Sequence, residues 1–263
     1  MKNRHPSSPI RVAVLIDGGY FMKRYNTLYN KDRSKSPETI VKDLCTIAHS
    51  HVGESNYLYR IFYYDCIPFE KKVHNPLSNK CIDYSKTPEA TMMMAVFGVL
   101  KRQRKVALRL GTLKDGKRWV LYDSASTRLL RGEITVNELS ERDVYYDIHQ
   151  KGIDMKIGVD IASLALKRFV DRIVLISGDS DFVPAAKLAR REGIDFVLDP
   201  MHSSHVESSL FEHIDGLKSV PLYFQKRKLR EAPKEETNCT PATSQSQTEQ
   251  LITSSQEGST VSQ

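Results

Sequence analysis

The sequence lacks several features that would assign it to a common protein class. Its 263 residues contain no run of about 18 apolar residues, so we expect no membrane-spanning helix. The polar segment 1–9 has no apolar stretch of the kind found in secretory signal peptides, which favours the cytoplasm. The chain has four cysteines and no C-x-x-C pair, so we interpret them as reduced thiols rather than zinc ligands.

Other absences remove whole classes of catalytic site. The chain has no G-x-G-x-x-G pattern, which argues against a dinucleotide-binding site, and no H-E-x-x-H pattern for a zinc protease. Phosphatases of the haloacid-dehalogenase type need a second aspartate two residues after the nucleophile. Position 19, two residues after Asp17, is glycine, so that reaction is disfavoured.

Charge is unevenly distributed along the chain, whose net charge is +7. Residues 231–263 contain five glutamates and one lysine, so this segment carries −4 and the remainder carries +11. A basic folded region can attract polyanions such as nucleic acid, although charge alone is weak evidence. The segment 231–263 is rich in Ser, Thr, Gln and Glu, and we expect a disordered polar tail that is able to bind a protein partner.

Apolar runs that alternate with amphipathic segments predict an α/β fold with a central, mostly parallel sheet. The run Arg11–Ile16 ends at Asp17 and two glycines, and the run Arg172–Ile176 ends shortly before Asp179 and Asp181. We expect a flexible arm at 1–9, one domain at 10–225 and an insertion at about 66–150. Within the insertion, we expect an irregular loop at 66–86. After a helix we expect two strands, Val106–Leu113 and Trp119–Tyr122, around an Asp-Gly turn.

A helix is predicted at Asp154–Val170. Met155, Gly158, Ala162 and Ala165 fall on one face of it, with Ile161 and Leu164 close by. Further helices are predicted at Pro88–Gln103, Ser180–Glu192 and Ser203–His213, as well as one that starts at Ser36 and Pro37.

Aspartates at the ends of the predicted strands indicate a metal site. Ligands of open α/β sheets bind at the carboxyl ends of the strands, and several carboxylates there repel one another unless a cation lies between them. Hard oxygen ligands suit Mg²⁺ or Mn²⁺, which points to metal-assisted phosphodiester chemistry. The candidate catalytic and metal-binding residues are Asp17, Asp154, Asp179 and Asp181.

Each of these aspartates also has a purely structural interpretation, which the sequence leaves open. Asp17 could be a turn residue before two glycines, Asp154 and Asp179 could be helix caps, and the helix dipole favours an acid at position 181. Asp160 is a further candidate ligand. It lies six residues beyond Asp154, about 600° around a helix and so about 120° from the Asp154 face.

Three residues are candidates for binding substrate. Lys151 precedes Asp154 by three residues and could reach a phosphate there, Ser177 ends a predicted strand, and Arg109 lies within one. A local hydrogen bond explains Ser177 equally well. The basic run 101–105 is interpreted as a solvated helix end, with nucleic-acid contact as the alternative.

Five segments resemble the NYN domain family, and within it the LabA-like bacterial branch, of the PIN-like nuclease fold. They are LIDGGYF at 15–21, QKGIDMKIGVDIA at 150–162, ISGDSDFVPA at 176–185, RREGID at 190–195 and LFEHID at 210–215. The resemblance implies a three-layer sandwich and a metal-dependent ribonuclease in which Asp17, Asp154, Asp179 and Asp181 bind Mg²⁺ or Mn²⁺ or activate water. It also implies RNA, single-stranded, as the substrate; a homodimer is left open.

The chain departs from that pattern at one position. Many NYN and PIN-like members carry Asn shortly after the first aspartate, whereas position 20 here is tyrosine. The alternative hypothesis is therefore an RNA-binding or regulatory protein on a nuclease-like fold, with weak or no catalysis.

Overall fold

The computed structural model describes residues 9–204 and 207–221, which form a seven-stranded sheet with helices on both faces. The strands lie in the order β6-β5-β2-β1-β7-β8-β9, and every neighbouring pair is parallel except β5 and β6. This arrangement confirms the predicted α/β class with a mostly parallel central sheet. In the described part of the chain, no helix is long and apolar enough to cross a membrane.

The bounds of the elements follow the chain. The strands are β1 Arg11–Asp17, β2 Tyr57–Cys66, β3 Lys72–His74, β4 Cys81–Asp83, β5 Val106–Leu121, β6 Val144–Lys151, β7 Arg172–Ile176, β8 Asp195–Asp199 and β9 Gly216–Leu217. The α-helices are α1 Gly18–Tyr29, α2 Pro37–Val52, α3 Pro88–Leu100, α4 Asp123–Leu130, α5 Ile153–Leu166, α6 Val183–Arg191 and α7 Ser208–Phe211.

The central strand β1 is buried on both faces, which explains its continuous apolar run. Val14 and Ile16 point into the core formed with α1, α2 and α3. Ala13 and Leu15, which alternate with them, point into the opposite core formed with α5, α6 and α7. The sheet therefore separates two apolar layers, as a three-layer sandwich requires.

Helix starts agree with their local sequence signals. Ser36 caps α2 by accepting a hydrogen bond from the backbone N–H of Thr39, and Pro37 is the first helical residue. Thr87 caps α3 in the same way. Gly193, with φ of 82°, follows the end of α6 in the left-handed conformation that favours glycine.

The predicted hairpin around Lys114–Lys117 is wrong. β5 runs through this region as one strand, and its pairing with β6 shifts register between Asp115 and Trp119. A Cβ on Gly116 would lie 2.5 Å from the carboxylate of Asp147 on β6, so the glycine permits close contact between strands rather than a chain reversal. The predicted loop at 66–86 contains the small β3–β4 hairpin.

The apolar face predicted for α5 is correct at Ile161, Leu164 and Ala165 but wrong at Met155. The side chains that α5 buries are Ile153, Ile157, Ile161, Leu164 and Ala165. Met155, by contrast, is 71% exposed. The helix ends at Leu166 instead of Val170, and the helix predicted at 203–213 is the single turn α7 in the described residues.

Segment 66–150, predicted to be an insertion, contributes to both the sheet and the core. β5 pairs with β2, and α3 places Val96, Phe97 and Leu100 in the core beside α2. The insertion boundaries stay a prediction. Residues 1–8 of the predicted arm and the whole predicted tail at 231–263 lie outside the described residues.

Candidate functional site

The candidate site lies at the carboxyl ends of β1, β2 and β7. Strand β2 lies on one side of β1 and β7 on the other, so the order in which strands are added to the sheet reverses at β1. Asp17 ends β1 and caps α1, and its Oδ1 accepts a hydrogen bond from the backbone N–H of Tyr20 at 3.2 Å. Ser177 follows β7, is fully buried, and donates to Oδ2 of Asp17 at 3.4 Å. These contacts join the ends of two neighbouring strands.

The same hydroxyl continues the connection toward the second acidic segment. The backbone N–H of Asp179 donates to Oγ of Ser177 at 3.3 Å, and the N–H of Asp181 donates to Oδ1 of Asp179 at 3.0 Å. Asp179 thus caps the short 3₁₀ turn Ser180–Phe182 that precedes α6. The capping role considered for Asp179 is confirmed, and Asp17, considered as a turn residue, also caps a helix. A carboxylate oxygen that accepts one hydrogen bond still has a lone pair for a ligand.

Asp154 lies in the first turn of α5, which follows β6. The N-cap position is Gly152, whose φ of 80° requires the left-handed region, so Asp154 is not the cap. Lys151 is the last residue of β6 and is exposed just before this turn. A negative charge in the first turn is favoured by the helix dipole, and α5 has no side-chain cap to satisfy its free N–H groups.

The charges of the carboxylates act on one another across this edge of the sheet. Burial raises the pKa of Asp17, the Tyr20 N–H opposes this rise, and the charges of Asp154 and Asp179 raise the pKa further. Burial also raises the pKa of Asp154, to which the charges of Asp179 and Asp181 add. The four aspartates predicted from the sequence therefore lie at one edge of the sheet, where their charges act on Asp17 and Asp154.

Asp65 is a fifth carboxylate at this edge, and sequence reasoning did not include it in the site. It lies near the end of β2, is only 8% exposed, and accepts hydrogen bonds from the Cys66 N–H at 2.7 Å and the Tyr63 hydroxyl at 3.2 Å. Burial raises the pKa of Asp65 to about 6, and the nearby Asp17 charge contributes to that rise. The missed signal was a strand-end aspartate of the same kind as Asp17.

Two glycines allow the strand ends to approach one another closely. A Cβ on Gly18 would lie 2.6 Å from Oδ2 of Asp65, and a Cβ on Gly178 would lie 2.5 Å from the ring of Tyr20. The Tyr20 hydroxyl donates to the carbonyl oxygen of Pro200 at 2.7 Å. The Tyr20 side chain therefore packs beside the carboxylates and connects the ends of β7 and β8.

Asp160 and Arg109 bind each other. Arg109 Nε donates to Oδ2 of Asp160 at 3.0 Å, and the Tyr64 hydroxyl donates to the same oxygen at 2.8 Å. The guanidinium of Arg109 also lies 5.4 Å from the Phe62 ring centroid. These contacts account for both charged groups without a ligand, so we leave Asp160 out of the ligand set proposed below.

The donor set suits a hard divalent cation. Its members are carboxylate oxygens with one nearby hydroxyl, and a bound cation would relieve the repulsion that adds to the raised pKa of Asp17 and Asp154. Among the described residues, however, no three His, Cys, Asp or Glu side chains already stand in ligating geometry. Mg²⁺ commonly uses one or two carboxylates and completes its shell with water and substrate phosphate, so a complete protein cage is not required.

Comparison with known proteins supports one family. The NYN domain family matches residues 124–215, a region that includes Asp154, Asp179 and Asp181 but not Asp17. This match supports the NYN family, which is PIN-like. No curated protein matches the chain. A crystal structure of a Vibrio parahaemolyticus RIMD 2210633 protein of unknown function is similar, with 14% identity and a TM-score of 0.43 over 83% of this chain and 97% of that one.

Proposed function

We propose that this protein is a divalent-metal-dependent ribonuclease that hydrolyses phosphodiester bonds of single-stranded RNA. The observation that carries the proposal is the convergence of strand-end and helix-start carboxylates at one edge of the sheet, Asp17, Asp154, Asp179 and Asp181. The match of residues 124–215 to the NYN domain supports the same reaction class. The LabA-like branch and the preference for Mg²⁺ or Mn²⁺ are part of this proposal.

The four aspartates have different roles because their surroundings differ. Asp17, the most buried of the four, is held by the Tyr20 N–H and by Ser177, so its carboxylate is fixed in position. Asp154, Asp179 and Asp181 are exposed and can reach a cation from the solvent side. When bound, the divalent cation supplies Lewis-acid activation of water and offsets the charge of the phosphodiester.

Two further groups can assist substrate and proton handling. Lys151 is exposed beside the uncapped start of α5. Its ammonium group and the free N–H groups of the helix start together favour binding of a phosphate. Asp65, with a pKa of about 6, can hold or release a proton near neutral pH beside Asp17. Asp65 thus acts as a neighbouring acid–base group in this scheme, not as a ligand.

One observation favours a second candidate, an RNA-binding or regulatory protein with weak or no catalysis. It is the absence, among the described residues, of three side chains already in ligating geometry. If this candidate is correct, RNA binding weakens steeply as the salt concentration rises, because phosphate contacts release counterions. The protein would then bind RNA without cleaving it.

The test is incubation of purified protein with end-labelled single-stranded RNA in Mg²⁺ or Mn²⁺, with an EDTA reaction and the variants Asp17→Asn and Asp154→Asn. We expect each variant to lose more than about a hundredfold in rate, since even residues that only support a ligand cost 10–100-fold. Asp171→Asn is the matched control, because Asp171 pairs with Arg11 at the amino ends of the strands. A metal-induced rise in melting temperature, lost in Asp17→Asn, gives a readout independent of turnover.

Cleavage that persists in EDTA or in Asp17→Asn would overturn the proposed reaction. RNA binding without cleavage in either metal would instead support the regulatory candidate. Equal losses in Asp171→Asn and Asp17→Asn would mean that general destabilisation, and not the site, explains the effect.

A further inference from the structure

An apolar groove lies between α5 and α6 and begins at the carboxylate cluster. Its volume is about 500 Å³, within the range of about 300–1,000 Å³ for small-ligand sites. Asp154 and Asp181 line the groove, while Met155, Gly158 and Phe182 belong to its apolar wall. We refer to it as the α5–α6 groove.

The chemistry of the lining favours a flat, uncharged group. None of the described residues that line the groove is basic, and its only charged members are the two aspartates of the candidate site. A phosphate would find no cation along these walls. A nucleobase has large apolar faces, so it fits this lining while its attached phosphate lies toward the carboxylates and the cation they hold.

Gly158 keeps the middle of the groove open. A glycine inside a helix destabilises the helix relative to alanine. Gly18 and Gly178 are required by close contacts, but a Cβ on Gly158 would meet nothing within 4 Å. Packing therefore does not explain Gly158, whereas a side chain at this position would occupy the groove.

We propose that the α5–α6 groove receives the nucleobase adjacent to the scissile phosphate. The proposal rests on the proposed ribonuclease function for its phosphate position, but the groove can be tested by binding alone. The exposed side chain of Met155, beside Asp154, would then cover the entering base. Base contact here would set which nucleotide lies next to the cleaved bond.

The test fills the groove with a side chain that the fold tolerates. Gly158→Leu places a good helix former at a site with free space, so we expect a stable protein with a blocked groove. Gly98→Leu is the matched control. Gly98 lies inside α3, is similarly half-exposed, and a Cβ there would also meet nothing within 4 Å.

The primary readout is binding of a labelled single-stranded RNA oligonucleotide of mixed sequence, measured by anisotropy with Ca²⁺ in place of Mg²⁺. We expect Gly158→Leu to weaken binding by about tenfold, the size of effect that follows loss of a base contact. An oligonucleotide with a single abasic position is then tested at each position in turn. Wild type should bind weakly when the missing base is the one that fills the groove, and Gly158→Leu should show no such dependence.

The outcomes separate this inference from the proposed function. Wild-type cleavage with unchanged binding and cleavage by Gly158→Leu would overturn the base site and leave the ribonuclease standing. Base-dependent binding without any cleavage would keep the groove and overturn the ribonuclease. If neither base-dependent binding nor cleavage is observed, both the base site and the ribonuclease are overturned. If sedimentation shows a wild-type dimer that Gly158→Leu converts to monomer, the groove is a self-association surface and the base site is overturned.

Discussion

Replacement of Asp65 by Asn should stabilise the folded protein, and the gain should depend on pH. Burial holds the pKa of Asp65 at about 6, against 3.8 for an ordinary aspartate. Full ionisation of this carboxyl in the folded protein therefore costs on the order of 3 kcal/mol. Asn keeps the shape and can still accept from the Cys66 N–H, while its amide can face the Tyr63 hydroxyl.

The direction of the pH dependence follows from proton binding. Below pH 3.8 the carboxyl is protonated in both states, so Asp65→Asn changes stability little. Between pH 3.8 and about 6 only the unfolded chain ionises, so the folded wild type loses stability as pH rises. Above pH 6 the carboxyl is ionised in both states, and the advantage of Asp65→Asn reaches its full value.

The assay is urea unfolding of wild type and Asp65→Asn in EDTA from pH 4 to pH 8, so that no divalent cation offsets the charge. Asp115→Asn is the control of opposite sign, because Lys71 and then Tyr146 lower the pKa of Asp115 to about 2. Its loss of stability should be constant across this range. A difference between wild type and Asp65→Asn that does not grow with pH, or that shows destabilisation at pH 8, would refute the reasoning.

Two other substitutions test contacts that hold the strand ends in place. His51→Ala should lower the free energy of unfolding by about 3–5 kcal/mol, because it leaves the buried Asp199 carboxylate without the imidazole that His51 Nε2 places 2.7 Å away. A loss below about 1 kcal/mol in urea unfolding would contradict this. Gly178→Ala should cost about 1–3 kcal/mol by overpacking against Tyr20, and a double-mutant cycle with Tyr20→Ala should show strong coupling. Additive losses would show that the two residues do not clash.

Local sequence signals were sufficient for most of the fold. The strand Arg172–Ile176 was predicted with its observed bounds, because an apolar run between turn residues needs no distant information. The turn predicted at Asp115-Gly116 failed because distant contacts decide its conformation. Asp115 binds Lys71 and Tyr146, and Gly116 lies against Asp147 on the paired strand.

The candidate site could be predicted from the sequence where an aspartate follows an apolar strand, as Asp17 does. Asp65 carries that same signal, but its importance depends on β2 lying beside β1, which the residue pattern alone does not specify. Asp160 shows the converse. Its spacing from Asp154 predicts a different helix face but also leaves it a candidate ligand, and only the structure reveals that Arg109, 51 residues away in the chain, binds it.

Tyr20 illustrates how a departure from a family pattern depends on where the side chain goes. Its ring and hydroxyl are engaged by Gly178 and Pro200, so only its backbone N–H serves Asp17. Another strand brings an amide toward this part of the site, since a Cβ on Gly19 would lie 3.3 Å from Nε2 of Gln150 on β6 and 3.6 Å from Oδ1 of Asp17. Because the side chain of position 20 turns away from Asp17 while β6 carries an amide into the same region, the amide that the family pattern places next to the first aspartate has a different structural origin to be tested here, and Gln150→Ala is the variant that tests it.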